Sequence, residues 1–258
     1  MREDKNAGME SDRQNYVVGR NSVLELLKSG RDIDKLFVAG GKREGSVTVI
    51  VAEALKRKIP VIEVDRSKLD TMSDGVPHQG VAAMVPERDY STLDDILEYA
   101  ESRGEKPLVV IADGIEDPHN LGAVIRTAEC AGAHGLIIPK RHSSGLTQVV
   151  SKASAGAIEH LRIAKVPNLS QALEELQKRG LWIYTAETGG MDYTQGDYTI
   201  ATALIFGSEG KGVSHLLKTK SDYVISIPLC GKIGSLNVSN AAAVVLYEAV
   251  RQRRSKQI

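Results

Sequence analysis

The chain has 258 residues, 42% of them hydrophobic and 26% charged, a composition that excludes disordered and fibrous proteins and fits one or two soluble globular domains. Lysine plus arginine and aspartate plus glutamate number 33 each, so no net field draws a polyanion from a distance, and a nucleic-acid partner needs local basic patches. The longest apolar segments are broken by glycine or charge within about ten residues, short of the roughly 18 that a membrane-spanning helix requires, so no membrane partner is expected.

Residues 1–14 are rich in Arg, Glu, Asp, Asn and Lys and lack an apolar run, which reads as a disordered tail and not as a secretory signal. Over 15–86, strand-like segments at 35–39, 61–64 and 81–85 alternate with helical patterns at 21–28 and 46–58, the pattern of a small α/β module. The charged stretch 87–106 reads as a linker carrying one amphipathic helix, with Leu93, Ile96, Leu97 and Ala100 on one face and Ser91 or Thr92 as its cap. From 107 to 258, apolar runs at 108–112, 136–139, 181–186, 202–206 and 223–227 are mostly separated by helical patterns. A mostly parallel sheet covered on both faces is therefore expected. A last helix from 238 to about 253 ends in Arg251, Arg253 and Arg254, which suit the negative end of its dipole. There is no internal repeat at solenoid-like periods.

Cys130 and Cys230 lie far apart with neither CxxC spacing nor a Cys/His cluster, so a reduced cytoplasmic setting without zinc is the simpler reading. The six histidines are scattered, His119 alone falling in a candidate motif, and no metal is expected. A thiol enzyme is disfavoured because neither cysteine has a paired base.

Three segments carry chemistry. The first, DGIEDPHNLGAVIRTAECAG at 113–132, is a polar loop after a buried strand that enters a helix at Asn120 or Leu121. Ligands in open α/β sheets sit at such strand ends. Asn120 as cap, Gly122 for close approach and Arg126 about one and a half turns in, near the positive end of the helix, suit a phosphate or a ribose. An ordinary Asp117-Pro118 turn with a solvated Arg126 accounts for the same residues equally well. The second segment, LIFGSEGKGVS at 204–214, ends a strand in a GxxGxG loop that matches neither dinucleotide nor P-loop spacing. Its glycines allow backbone to lie against a flat adenine, and Glu209 offers a carboxylate to a hydroxyl or a cation. The third, IPLCGKIGSLNVSN at 227–240, gathers Ser235, Asn237, Ser239 and Asn240 before an apolar helix, more polar groups than capping requires.

Together, in this order and at these separations, DPHNLGAVIRTA, FGSEGKGVS and IPL followed by SLNVSNAAAV resemble the signature motifs of the SpoU (TrmH-type) RNA ribose methyltransferases of the SPOUT superfamily, over roughly 108–248. The segment that begins Tyr16-Val17-Val18-Gly19 and carries His78-Gln79-Gly80-Val81 near its end more loosely resembles the ribosomal-protein-L30e-like, RNA-binding substrate domain that precedes this catalytic domain. The resemblance implies an α/β SPOUT domain with a parallel sheet and a C-terminal trefoil knot, an exception to ordinary unknotted topology. It further implies S-adenosyl-L-methionine as cofactor, held at Gly207, Ile227, Leu229, Leu236 and Ser239, and a reaction centre of Asn120, Arg126, Glu209, Ser235 and Asn237. The implied substrate is a ribose 2′-hydroxyl of structured RNA. Length and the extra module resemble most the RlmB-type subgroup acting on a guanosine of 23S rRNA, with tRNA ribose as the alternative. A homodimer whose sites are completed by both subunits is implied as well.

A ribose hydroxyl is a poor nucleophile, so the site must orient it and assist loss of its proton. Arg126 either takes that proton, against a guanidinium pKa above about 12, or binds the adjoining phosphate and lowers the hydroxyl's pKa by its charge. Basic groups available to RNA are Arg20, Lys42, Arg43, Lys140, Arg141, Lys152, Arg162 and Lys165, most of which are equally accounted for as solvated surface charge; Arg141 and Lys152, in the loop region after the run 136–139, are the two singled out. Two other readings compete. A catalytically silent RNA-binding protein with this fold would not need the full motif set, and a Rossmann-type oxidoreductase would need a glycine fingerprint after 108–112 that is missing.

Overall fold

A computed structural model describes residues 15–41, 45–86 and 88–255; the tail expected over 1–14 and the basic pair Lys42 and Arg43 lie outside the described residues. The chain divides into two compact units, Met1–Arg88 and Asp89–Ile258. Among the described residues no helix is long and apolar enough to cross a membrane.

In the first unit β1 (Asn15–Val18), α1 (Arg20–Ser29), β2 (Lys35–Ala39), α2 (Ser46–Lys56), β3 (Val61–Val64), α3 (Arg66–Ser73) and β4 (Val81–Val85) build one sheet of order β1-β4-β2-β3, antiparallel except for the β2–β3 pair. Residues alternate between its faces. Leu36, Val38, Val81 and Ala83 join Val23, Leu26, Leu27, Ile50 and Ala54 of α1 and α2 in one core, while Phe37 and Ala82 meet Leu69 of α3 in another. Helix α2 stops at Lys56, short of the expected 58, because Lys58 takes a left-handed φ of 58° just ahead of Pro60.

The second unit opens with α4 (Leu93–Ser102), the helix of the stretch read as a linker. Thr92 is its cap: the Thr92 hydroxyl accepts the Asp95 N–H at 3.1 Å and the Asp95 carboxylate accepts the Thr92 N–H at 2.7 Å, a reciprocal capping box. Its buried Ile96 lies over Gly135, where any Cβ would fall 2.5 Å from Ile96 Cδ1. There follow β5 (Leu108–Asp113), α5 (Pro118–Cys130), β6 (Gly135–Pro139), α6 (Gln148–Ala153), a 3-10 turn at Ala157–Glu159, β7 (Arg162–Val166), α7 (Leu169–Lys178) and β8 (Trp182–Asp192). A second 3-10 turn at Tyr193–Gln195, β9 (Thr202–Gly207), α8 (His215–Lys220), β10 (Tyr223–Ser226) and α9 (Val238–Ser255) complete the unit.

All six strands are parallel, in the order β10-β8-β9-β5-β6-β7. Leu108, Val110 and Ala112 face a core shared with α5 and α9, and Val109 and Ile111 face one shared with α7 and α8, so both faces are covered as the continuous apolar runs required. The C-terminal arginines do more than complement a dipole. Arg251 forks onto Glu248, and Arg253 donates to the carbonyls of Tyr198, Lys106, Pro107 and Ile200 at 2.6–2.9 Å, its pKa brought down to about 10 by burial. Arg253 thus ties the last helix to the start of β5 and the approach to β9.

From β5 the chain steps to β6 and β7 on one side and returns through β8 and β9 on the other. The strand order therefore reverses between β5 and β9, where Asp113 stands in register with Gly207. A crevice outside the carboxyl ends of the strands opens at such a reversal.

Candidate active site

The last residue of β5 is anchored, since Asp113 Oδ2 accepts the Ser214 N–H at 2.7 Å and so joins the end of β5 to the residue just before α8. Helix α5 begins earlier than the 120 or 121 expected from sequence. Pro118, with its preset φ, opens the helix, and Asp117 caps it by accepting the His119 N–H at 2.9 Å. Asn120 is released from capping and turns inward, 9% exposed. Arg126 lies more than two turns into α5, not near its positive end. Six residues on from Asn120 it points about 240° around the helix and lies roughly 9 Å along it, exposed and apart from the crevice of its own chain.

Three segments distant in sequence meet on one carboxylate. Glu209 Oε1 accepts the Asn120 amide at 3.1 Å and the Asn237 amide at 2.5 Å, and the Asn237 amide also donates to Asn120 Oδ1 at 2.9 Å. The carbonyl of the same Asn237 side chain caps α9, accepting from the Ser239 N–H at 2.9 Å and the Ser239 hydroxyl at 2.5 Å. Both ends of that amide are committed, which sets its orientation. The start of α9 and the catalytic-looking cluster therefore share one residue.

Beside this cluster opens a cavity of about 560 Å³, in the size range of small-molecule sites. Phe206, Ile225, Ile227, Leu229, Leu236 and Val238 give it apolar walls, and Glu187, Ser208, Glu209, Ser235 and Asn237 give it polar ones. Among the described residues two carboxylates and no lysine or arginine line it, so it favours a neutral or cationic ligand over a phosphate. Gly207 lies where the returning loop passes so close that a Cβ would be 2.1 Å from the Gly212 carbonyl carbon.

Of the residues marked in the sequence, Gly207, Ile227, Leu229 and Leu236 line the cavity, as do Glu209, Ser235 and Asn237. Asn120 joins through its hydrogen bonds. Ser239 does not line the cavity but braces Asn237 from behind. Ala186, Glu187 and Thr188 were missed by the sequence reading. The signal was there in TAETGG, a carboxylate and a glycine pair at the end of the apolar run 181–186, but no motif drew attention to it. Among the basic groups, Arg162 and Lys165 on edge strand β7 sit over the rings of Tyr99 and Tyr90, at 3.5 and 4.9 Å from their centroids, whereas Lys140 and Arg141 are exposed. Burial holds the Lys152 ammonium below its ordinary range. Burial, with Glu129 alongside, pushes the Cys130 thiol up, which further disfavours thiol chemistry. Among the described residues no group of three or more His, Cys, Asp or Glu side chains is placed to hold a metal ion.

Comparison with known proteins decides between these readings. The family model of the SpoU rRNA methylase family matches residues 107–247, and that of the RNA 2′-O ribose methyltransferase substrate-binding domain matches 16–91. The chain belongs to the SpoU rRNA methylase family. This SpoU-family RNA methyltransferase is 45% identical over 244 residues to YacO of Bacillus subtilis (strain 168), a protein named for the TrmH family of tRNA/rRNA methyltransferases, covering 94% of this chain and 98% of that one. Its fold is similar to that of the SpoU methyltransferase AviRb from Streptomyces viridochromogenes in complex with the cofactor AdoMet. The TM-score is 0.79 at 29% identity, over 93% of this chain and 90% of that one. An AdoMet-bound rRNA methyltransferase from Sinorhizobium meliloti gives a TM-score of 0.76 at 27% identity, over 93% and 87%. The SpoU-family assignment removes the oxidoreductase reading.

Proposed function

We propose that this chain transfers a methyl group from S-adenosylmethionine to a ribose 2′-hydroxyl of structured RNA in the cytoplasm, with a guanosine of 23S rRNA as target ahead of a tRNA ribose. The observation that carries this reading is the Asn120–Glu209–Asn237 cluster at the side of a cavity with apolar walls and two carboxylates and, among the described residues, no cationic side chain. The donor set fits the cofactor: flat apolar walls suit a purine, glycine-lined backbone admits it closely, and carboxylates suit a sulfonium. S-adenosylmethionine supplies an electrophilic methyl group on that sulfonium. Gly207, Ile227, Leu229 and Leu236 hold the adenosyl part, and Ser239 serves by keeping Asn237 in place.

Glu209, fixed by two amides on one oxygen, and Ser235 orient the incoming ribose at the cluster. Arg126 acts on the substrate as a phosphate ligand that lowers the pKa of the neighbouring hydroxyl, the role that asks least of a guanidinium. It is exposed, makes no hydrogen bond or ion pair among the described residues, and is not among the residues that line its own cavity, which supports a homodimer in which it serves the partner's site. Helix α9 buries Ala242, Val245, Leu246 and Ala249 within its own subunit and leaves a second stripe, with Ala243, Val244 and Val250 half-buried and Tyr247 exposed, for such a contact. The trefoil knot is supported by the chain path. β10 follows β9 yet lies beyond β8, and α9 returns to pack on α5. Unit Met1–Arg88 binds the RNA.

Labelled-methyl transfer to unmodified rRNA and tRNA transcripts, followed by mapping of the product, tests the reaction; a methylated base in place of a methylated ribose would overturn it. Arg126→Ala is expected to abolish transfer while leaving S-adenosylhomocysteine affinity within about twofold. A variant that lost cofactor affinity and kept RNA binding would contradict the role given to Arg126.

A further inference from the structure

Glu187 lines the cavity from β8 and none of the roles above uses it. Its two oxygens are held apart and aimed by backbone donors. Oε2 accepts the Val213 N–H at 3.1 Å and Oε1 accepts the Thr188 N–H at 3.1 Å, with the Thr188 hydroxyl at 3.5 Å on the margin of bonding. Gly212, at a φ of +66°, makes room for this carboxylate, since a Cβ there would lie 2.3 Å from Oε2. Glu187 is half-buried and forms no ion pair among the described residues. Each oxygen of a carboxylate accepts about two hydrogen bonds, so capacity remains on both for donors inside the cavity. The other carboxylate of the cavity, Glu209, is engaged through Oε1 with two amides.

We propose that Glu187 accepts hydrogen bonds from the vicinal ribose hydroxyls of the cofactor and makes the site select an adenosine over its deoxy forms. The inference rests on the cavity being the S-adenosylmethionine site. A purine against Ile227 and Leu236 and a sulfonium beside Glu209 leave the sugar between them. Its diol presents two O–H donors to the two oxygens of one carboxylate, a recurrent way for acidic residues to read a ribose. The Val213 bond couples this recognition to the loop after β9, so the residue that reads the sugar also holds the cavity wall.

The test is calorimetric titration of the wild type, Glu187→Gln and Glu187→Ala with S-adenosylhomocysteine, its 2′,3′-dideoxy analogue and 5′-methylthioadenosine, which keeps the diol and lacks the amino acid. Wild type is expected to bind the dideoxy analogue roughly 10- to 100-fold more weakly, the range for hydrogen bonds to a charged group. Glu187→Ala loses about the same factor with S-adenosylhomocysteine and with methylthioadenosine, and no longer distinguishes the dideoxy compound. Glu187→Gln, which retains an oxygen for the Val213 N–H, recovers part of the loss. If Glu187→Ala weakens all three ligands equally and keeps the full preference for the diol, the residue only braces the loop and the inference falls. It falls too if the loss is confined to S-adenosylhomocysteine, for then the carboxylate holds the ammonium group. Wild type that binds none of the three overturns the cavity assignment itself, and this inference with it.

Discussion

Gly207→Ala puts the cavity's construction to a quantitative test. A Cβ at this position would lie 2.1 Å from the Gly212 carbonyl carbon, 2.2 Å from the Val213 nitrogen and 2.3 Å from the Gly212 oxygen, more than an ångström inside the 3.4 Å at which ordinary contact begins. The atoms it meets are backbone, which cannot rotate away as a side chain would. The loop 208–213 must shift as a body, although the Glu187–Val213 and Asp113–Ser214 hydrogen bonds anchor it. Overpacking of this kind costs about 1–3 kcal/mol, which for a unit of this size lowers the melting temperature by roughly 3–10 °C. The shift also draws Glu209 off its two amides, so affinity for S-adenosylhomocysteine falls by at least about tenfold. Scanning calorimetry reads the first effect and isothermal titration the second. Gly231→Ala serves as control, because nothing lies within 4 Å of its Cβ and its φ is unstrained. Gly207→Ala melting and binding like wild type would refute the close approach of loop and strand.

Asn237 separates capping from chemistry. Asn237→Asp keeps an oxygen for the Ser239 donors, so it melts near wild type, yet it sets a second carboxylate against Glu209 where the amide now donates at 2.5 Å, and methyl transfer is lost. Asn237→Ala loses the cap as well and destabilises by about 0.5–2 kcal/mol; equal activity in the two variants and wild type would remove Asn237 from the site. His134 gives the protein an acid sensitivity above the carboxylate range. Burial depresses its pKa below the ordinary 6.5, Glu105 opposing in part, and its Nδ1 accepts the Leu108 N–H at 2.9 Å while Nε2–H faces Glu105. As pH falls through about 6.5 the unfolded chain takes up the proton first. Stability is therefore full above that value and declines below it; urea melts at about pH 7.5 and 5.5 should show the loss, and His134→Gln should flatten it.

How far the fold could be read in advance follows from burial. Strands β5, β6 and β9 are continuous apolar runs because helices cover both faces of a parallel sheet, and runs of that length stand out in the sequence. Strand β7 did not stand out. It forms one edge of the sheet, and its Arg162 and Lys165, which reach the rings of Tyr99 and Tyr90, break the apolar signal. Helix α3 was equally silent, since its eight residues bury Leu69 and Ser73 and show no repeat. At the site, Asn120, Glu209 and Asn237 were legible because each stands in a motif dense with glycine or polar residues. Glu187 was not, because its significance comes from a neighbour 26 positions away, the Val213 N–H, that only the sheet order brings beside it. Nor did the spacing of Asn120 and Arg126 disclose that the helix would start at Pro118 and carry the arginine away from the crevice.

The cluster on Glu209 explains why this site should resist piecemeal change. Asn120 and Asn237 are 117 positions apart and reach the carboxylate from two helix starts, one from α5 and one from α9. Removing Asn120 leaves Glu209 short of a donor and the Asn237 amide short of an acceptor, and removing Asn237 leaves both Glu209 and Asn120 Oδ1 short of a donor, at the wall of a cavity where desolvation magnifies the deficit. Because Asn237 also caps α9, which packs on α5, the fold of the last helix and the orientation of the reacting groups are set by one side chain. Single substitutions here should therefore each cost most of what the set is worth, and their effects should fall well short of adding. A carboxylate that holds three loops in register before any ligand arrives is preorganisation of the kind that lets a weak nucleophile be aimed without reorganising the protein at the moment of transfer.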